Sequence, residues 1–352
     1  MQHQVVHRPG GYERLQWEQA PDPVAGPGEL LIGVEAVGVN YADCVVRMGL
    51  YASAKEYVGW PITPGFDIAG RVRAVGEGVR GWSVGEECFG VTRFNAYATH
   101  VSVPAWQVLR RPQGLSAREC AALPTVLLTA WYALHHQAAA SPGARVLVHS
   151  AAGGVGGALL QLCRAHGCHS LGVVGGAHKV ELARELGAEA VVDKRSEDVW
   201  AAAARFAPAG FDAIFDANGG ASLRRGYRAL APQGRLVTYG AHSMLPKGRG
   251  RPNWLKLAWD YVRAPRFLGL DLSQNNKAVL GFNLSFLFAR DDLYARAMGE
   301  LVPLLESGAL RVPPIQTFPL ERAADAQRAL ESGETVGKLV LEVDSVDGAA
   351  GA

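Results

Sequence analysis

The hexapeptide Ala151-Ala152-Gly153-Gly154-Val155-Gly156 lies between an apolar run, residues 145–149, and a stretch, 156–166, whose Leu159, Leu160 and Leu162 share one helical face. A buried strand that turns through glycines straight into a helix leaves few folds open, because such a unit must pack its helix back onto a parallel sheet. The rest of the middle of the chain agrees. Strand-like runs at 170–174, 190–192, 211–216 and 235–239 alternate with helical runs at 179–186 and 222–230, the pattern of a doubly wound parallel α/β sheet.

The flanks read differently. Short β-rich runs at 30–39, 68–75 and 97–103, punctuated by glycine and proline, predict a mostly β unit before residue 117. Helical segments at 118–123 and 127–137, with a break at Pro124, separate it from the alternating part. Beyond residue 240 the expected elements are an amphipathic run at 254–262, a strand at 279–284, a helix at 294–307 and a last strand at 338–343; residues 347–352 read as frayed. At 352 residues the chain has length for two cores and a cleft between them.

Composition narrows the function classes. A net charge of +2 gives no reason to expect nucleic acid or another polyanion as partner. The five cysteines, Cys44, Cys88, Cys120, Cys163 and Cys168, are dispersed and form no CxxC pair, which fits reduced thiols in a cytoplasmic protein. No signal-like segment opens the chain, and no run of 18 residues is apolar enough to predict a membrane span.

In a dinucleotide turn, Gly153 lets the backbone approach a pyrophosphate, Gly156 lets helix and strand pack closely, and the first amides of the helix present positive dipole to the phosphates. Residues Ala152, Gly153, Gly154, Val155 and Gly156 are therefore the expected cofactor cradle, with Ala151 where the first glycine usually stands. An NAD site usually has an acidic residue about 20 positions further on. Here the second strand ends Val174-Gly175-Gly176-Ala177-His178-Lys179, without a carboxylate. Lys179 there, and Lys194 with Arg195 after the next strand, favour the 2′-phosphate of NADPH; the alternative is that they are solvated surface charges. The histidines and cysteines form no CxxC, HExxH or similar cluster, so no metal site is expected.

These features, together with the closing Gly337-Lys338-Leu339-Val340-Leu341, resemble the medium-chain dehydrogenase/reductase superfamily over nearly the whole chain. Val37-Gly38-Val39-Asn40-Tyr41-Ala42-Asp43, Gly49-Leu50-Tyr51 and Pro64-Gly65-Phe66-Asp67-Ile68-Ala69-Gly70 are similar to its zinc-free quinone oxidoreductase group, which includes zeta-crystallin. Zinc-dependent members place a cysteine where Asn40 stands and a GHE motif where this chain reads Gly65-Phe66-Asp67, and the cysteine-rich structural-zinc lobe after Gly90 is missing. Gly219-Gly220, Gly226-Tyr227, Val237-Thr238-Tyr239-Gly240, Asn253-Trp254-Leu255 and Gly281-Phe282-Asn283-Leu284 resemble the vesicle-amine-transport-protein branch, some of whose members are membrane-associated.

The resemblance implies a GroES-like β-rich catalytic domain from both chain ends, 1–124 and 289–352, around a Rossmann domain at 125–288. It implies zinc-independent NADPH-dependent reduction of a quinone or α,β-unsaturated carbonyl. It also implies a homodimer joined at Rossmann sheet edges through the strand containing Phe282. Asn40, Tyr41, Asp43 and Tyr51 match the group's active-site positions, with Asn40 and Tyr51 as donors to a substrate carbonyl oxygen and Asp43 structural. Thr129, Tyr239, Gly240, Phe282, Asn283 and Lys338 match segments along the cofactor groove, although Phe282 reads equally as packing and Lys338 as a surface charge. Finally, residues 247–266 interleave Lys247, Arg249, Arg251, Lys256, Arg263 and Arg266 with Trp254, Leu257, Trp259 and Tyr261. That mixture suits either a peripheral membrane contact or a helix that covers the cleft or a dimer partner.

Overall fold

The computed structural model describes residues 1–243 and 250–343. Six parallel strands form one sheet in the spatial order Ala190–Asp193, His169–Val174, Arg145–His149, Phe211–Asp216, Leu230–Thr238 and Ala278–Gly281. The chain winds outward from Arg145–His149 in one direction, then returns to lay Phe211–Asp216 on its other side. A doubly wound sheet opens a crevice beyond the carboxyl ends of the strands where this order reverses. Val146, Leu147 and Val148 are all fully buried, which explains a continuous apolar run rather than an alternating one.

The second sheet runs Ile315–Pro319, Lys338–Glu342, Glu29–Val39, Asp67–Val75, Glu87–Val91, Val108–Arg110, with His100–Pro104 also paired to Glu29–Val39. Strands from the two ends of the chain thus complete one sheet: Leu339 pairs Val39 and Leu341 pairs Val37. Helix Pro124–Trp131 then packs on helix Gly154–Ala165 and joins the two layers. Pro124 is its first residue, where a missing N–H costs nothing, so this proline starts a helix as well as ending the preceding one.

Several elements depart from the sequence expectations. Helix Val199–Phe206 was not expected; the only residues it buries are the small Ala202 and Ala203. Strand Ile315–Pro319 and helix Ala323–Ser332 are likewise additional. The strand read at 279–284 is Ala278–Gly281, so Phe282 lies beyond it. Phe282 follows that edge strand directly, its N–H donating to the Thr238 carbonyl of the neighbouring strand at 3.3 Å, and its ring packs 4.8 Å from Tyr132 and 6.2 Å from Tyr239. Residues 254–262 do form a helix, Trp254–Arg263, which buries none of its residues. Lys247 and Arg249, and the frayed end expected at 347–352, lie outside the described residues.

Candidate active site

The glycine turn is built as its spacing implied. Strand Arg145–His149 ends, the chain turns, and helix Gly154–Ala165 begins with Gly153 as its N-cap. A Cβ on Gly156 would sit 2.2 Å from the Ser150 carbonyl oxygen, so this position admits only glycine without backbone movement. A Cβ on Gly154 would meet Val126 Cγ1 at 2.8 Å and Lys338 Cδ at 3.1 Å. Gly153, Gly154 and Val155 are partly exposed, and the first amides of a helix have no intrahelical acceptor.

Opposite this turn lies a stretch whose role was only partly legible. Residues 333–338 run from helix Ala323–Ser332 into strand Lys338–Glu342 along the groove. Gly337 N donates to the Ala152 carbonyl at 3.3 Å, and Gly337 is bridge-paired to Gly153. At one end of the stretch, Lys179 Nζ donates to the Gly333 carbonyl at 2.5 Å, and Arg195 pairs with Glu334 at 2.8 Å. At the other, Lys338 enters a buried polar cluster.

Lys338 is 4% exposed, so the surface-charge alternative is overturned. Its Nζ donates to Asn40 Oδ1 at 2.8 Å and to the Val39 carbonyl at 3.0 Å, and lies 3.6 Å from Asp67 Oδ2. Asn40 Nδ2 donates to Asp67 Oδ2 at 2.7 Å, and Thr125 N donates to Asp67 Oδ1 at 2.8 Å. Burial lowers the Lys338 pKa, opposed by the nearby Asp67 and Asp43 carboxylates. Burial raises that of Asp67, opposed by Lys338. Both ends of the Asn40 amide, expected as a donor to a substrate carbonyl, are engaged inside the protein, where it links Lys338 to Asp67. Thr129, expected beside the nicotinamide, donates its hydroxyl to the Thr125 carbonyl one turn back at 2.7 Å.

Asp43 is buried under this cluster. Its Oδ2 accepts from Asn40 N at 2.8 Å and from Tyr97 OH at 2.9 Å, and burial pushes its carboxyl up to about 7. It holds the turn that carries Asn40. Tyr51 faces the groove half-buried, against Phe66 and Phe94, and donates its hydroxyl to Asn283 Oδ1 at 2.8 Å. Burial pushes that phenol up to about 12, so it stays protonated and can donate. Tyr41 lies with its ring 4.1 Å from that of His242, whose imidazole burial holds down at about 4.

At the switch point itself stand residues that the sequence reading did not single out. His149 and Asp216 terminate the two central strands, His149 Nε2 lying 3.8 Å from Asp216 Oδ2. Asp216 Oδ1 accepts from Asn218 N and Gly219 N, at 2.6 and 2.8 Å. His149 Nε2, Asp216 Oδ2 and the Tyr239 hydroxyl are buried without a hydrogen-bond partner. His149 and Asp216 are each a polar end on an apolar strand, the one signal that would have marked them. Tyr239 follows strand Leu230–Thr238 directly, and Gly240 lies so close to Ala217 that a Cβ would come within 2.6 Å of its carbonyl oxygen. Orphaned polar atoms beside a glycine cradle fit a polar ligand laid along the groove.

A zinc ion does not fit these residues. The place of its first ligand is held by the Asn40 amide, already bonded to an ammonium, and no three His, Cys, Asp or Glu side chains converge among the described residues. The five cysteines are free.

A parallel sheet with a glycine turn, facing a second β-sheet across a polar groove, defines a two-domain protein of the dehydrogenase/reductase class. Comparison with known proteins agrees: residues 26–113 match the alcohol dehydrogenase GroES-like domain, and residues 186–341 a zinc-binding dehydrogenase domain. The synaptic vesicle membrane protein VAT-1 homolog of Rattus norvegicus is 34% identical over 94% of this chain and 81% of its own length. The Escherichia coli quinone oxidoreductase, solved in complex with NADPH, superposes with a TM-score of 0.84 at 26% identity, over 97% of this chain and all of its own. The CurK enoyl reductase gives 0.83 at 26%, over 97% of this chain and 99% of its own. The protein belongs to the medium-chain dehydrogenase/reductase superfamily, in the zinc-free quinone oxidoreductase group with the VAT-1 homologues.

Proposed function

We propose that the protein is a cytoplasmic NADPH-dependent oxidoreductase that reduces a quinone or an α,β-unsaturated carbonyl by direct hydride transfer, without zinc. The observation that carries this reading is the glycine turn at residues 153–156, with the cations Lys179 and Arg195 reaching residues 333–334 at one end of the facing stretch and the buried Lys338 ammonium at its other end. NADPH, when bound, supplies the hydride. Gly153, Gly154, Val155 and the following helix amides hold its pyrophosphate, and Lys179, Lys194 and Arg195 its 2′-phosphate. Gly240 and the orphaned Tyr239 hydroxyl line the path between them.

Hydride addition to an enone or quinone leaves negative charge on the carbonyl oxygen, and a proton from solvent completes the reduction. The Tyr51 hydroxyl gives its one proton to Asn283 Oδ1 in the unliganded protein and would have to turn it from there to that oxygen as its charge grows. Lys338 acts from behind Asn40, adding positive potential while its own proton stays on the buried network. The enoyl reductase and quinone oxidoreductase likenesses support both acceptor classes.

The test is NADPH oxidation by the purified protein against a panel of quinones and enones, with NADH alongside. Turnover faster with NADPH is expected. Equal rates with the two cofactors would overturn the 2′-phosphate assignment, and no turnover with any acceptor would overturn the reductase reading.

A second reading rests on helix Trp254–Arg263, where Trp254, Leu255, Trp259, Tyr261 and Val262 are exposed among Lys256, Arg263 and Arg266. We propose that it serves either a peripheral membrane contact of a nucleotide-binding scaffold or, with the adjacent edge strand Ala278–Gly281, the partner in a homodimer. Flotation with anionic liposomes in the absence of turnover supports the first; a dimer by sedimentation that Leu255→Glu dissociates supports the second.

A further inference from the structure

The absence of a carboxylate from the tip of the second strand is a property of the local sequence, and the fold reverses it. Glu334 arrives there from the far side of the groove, more than a hundred residues along the chain. Its carboxylate lies 2.8 Å from Arg195 and 4.0 Å from His178 Nε2. Its backbone carbonyl is 3.3 Å from the same His178 nitrogen. Lys179, bonded to the neighbouring Gly333 carbonyl, completes the ring. Lys194 reaches the same turn: its Nζ lies 3.9 Å from where a Cβ on Gly175 would stand, and Arg195 Nη1 3.4 Å from the corresponding point on Gly176. The cations assembled around Gly175 and Gly176 therefore share their site with the Glu334 carboxylate, while Asp193 also acts on Arg195 from its own chain neighbourhood.

We propose that Glu334 is a specificity-determining residue at the adenosine end of the groove, where its carboxylate competes with a 2′-phosphate for Arg195 and so moderates the preference for a 2′-phosphorylated dinucleotide. The inference rests on the reading of the groove as a dinucleotide site. A 2′-hydroxyl is neutral and a hydrogen-bond donor, so an unphosphorylated dinucleotide meets no repulsion from Glu334. A 2′-phosphate carries between one and two negative charges at neutral pH. For groups about 4 Å apart in a solvent-like dielectric, each unit of like charge shifts an equilibrium about fivefold. To bind, the phosphate must take Arg195 from Glu334, and the loop at 333–337 must give way or accept the repulsion. The side chains of Arg195 and Glu334 are more than half exposed, so the exchange needs no core to open.

The experiment is titration of the full-length protein with NADPH and with NADH, following nicotinamide fluorescence at low and moderate salt, for the wild type, Glu334→Gln and Glu334→Gln/Arg195→Gln. The proposal expects Glu334→Gln to raise the ratio of Kd for NADH to Kd for NADPH about five- to tenfold at low salt, less at moderate salt, and the second substitution to abolish that gain. An unchanged or reduced ratio in Glu334→Gln, with NADPH still bound, overturns the role of Glu334 and leaves the cofactor reading intact. No binding of either dinucleotide by any of the three proteins overturns the cofactor reading, and this proposal with it.

Discussion

The ammonium of Lys338 lies 2.8 Å from the side-chain oxygen of Asn40, a bond between residues 298 apart that ties the last strand of the protein to the turn after its longest one. The same ammonium faces the buried Asp67 carboxylate at 3.6 Å. Replacing it by a neutral chain leaves that carboxylate without a cation. Lys338→Met is expected to cost about 3–5 kcal/mol in urea unfolding, the usual penalty for uncovering a buried charge, and Asp67→Asn in the same protein to recover part of it.

Asp43 gives the pH dependence a definite sign. Its carboxyl is pushed up to about 7 by burial, against an ordinary value of 3.8, so between those limits the folded protein keeps a proton that the unfolded chain has lost. The resulting contribution to stability is full below pH 4, declines as pH rises and is gone above 7. Chemical denaturation across that window should show the wild type losing stability with pH relative to Asp43→Asn, whose amide oxygen can still accept from Asn40 N and Tyr97 OH. A parallel pair of curves would disprove the assignment.

Neighbouring glycines of the turn should fail in different ways. At Gly156 an added methyl meets a backbone oxygen at 2.2 Å, so Gly156→Ala is expected to lower the melting temperature. At Gly154 the obstacle is side-chain atoms of Val126 and Lys338, which can give way. Gly154→Ala should therefore remain folded but bind NADPH about tenfold more weakly by fluorescence titration, about 1.4 kcal/mol.

Tyr51→Phe removes a hydroxyl whose partner, Asn283, also accepts from Ser285 N and Ser285 Oγ. Stability should change by only about 1 kcal/mol. If the phenol donates to the developing oxyanion, kcat should fall about a hundredfold with little change in KM, and stopped-flow NADPH oxidation would separate the two.

Prolonged dialysis against a zinc chelator should leave turnover and melting temperature unchanged, because the donor set around Asn40 suits an ammonium and not a zinc ion. Loss of activity that added zinc restores would contradict this.

The parallel sheet was legible because strands buried on both faces become uninterrupted apolar runs, and because a helix that follows a strand this tightly requires glycine at Gly156. Helix Val199–Phe206 and helix Ala323–Ser332 escaped notice because what they bury is alanine and, in the second, Gln327 and Glu331, none of which marks a core face in the sequence. Asp43 and Tyr51 could be picked out by family likeness, but not what they bond. The same holds for Asn40: a polar residue at a strand end looks free until its partners, Lys338 and Asp67, come in from elsewhere in the chain.

The amino-acid sequence by itself determined the alternation of strands and helices, the glycine turn and the family, because these depend on neighbours within a few positions. Tertiary structure alone decided which charges meet. Lys338 is buried, and Glu334 stands among the cations at the strand tip, because sheet pairing carries the last strand alongside Glu29–Val39 and sweeps residues 333–338 along the groove. Electrostatic energy depends on distance through space, and no local pattern of residues records it.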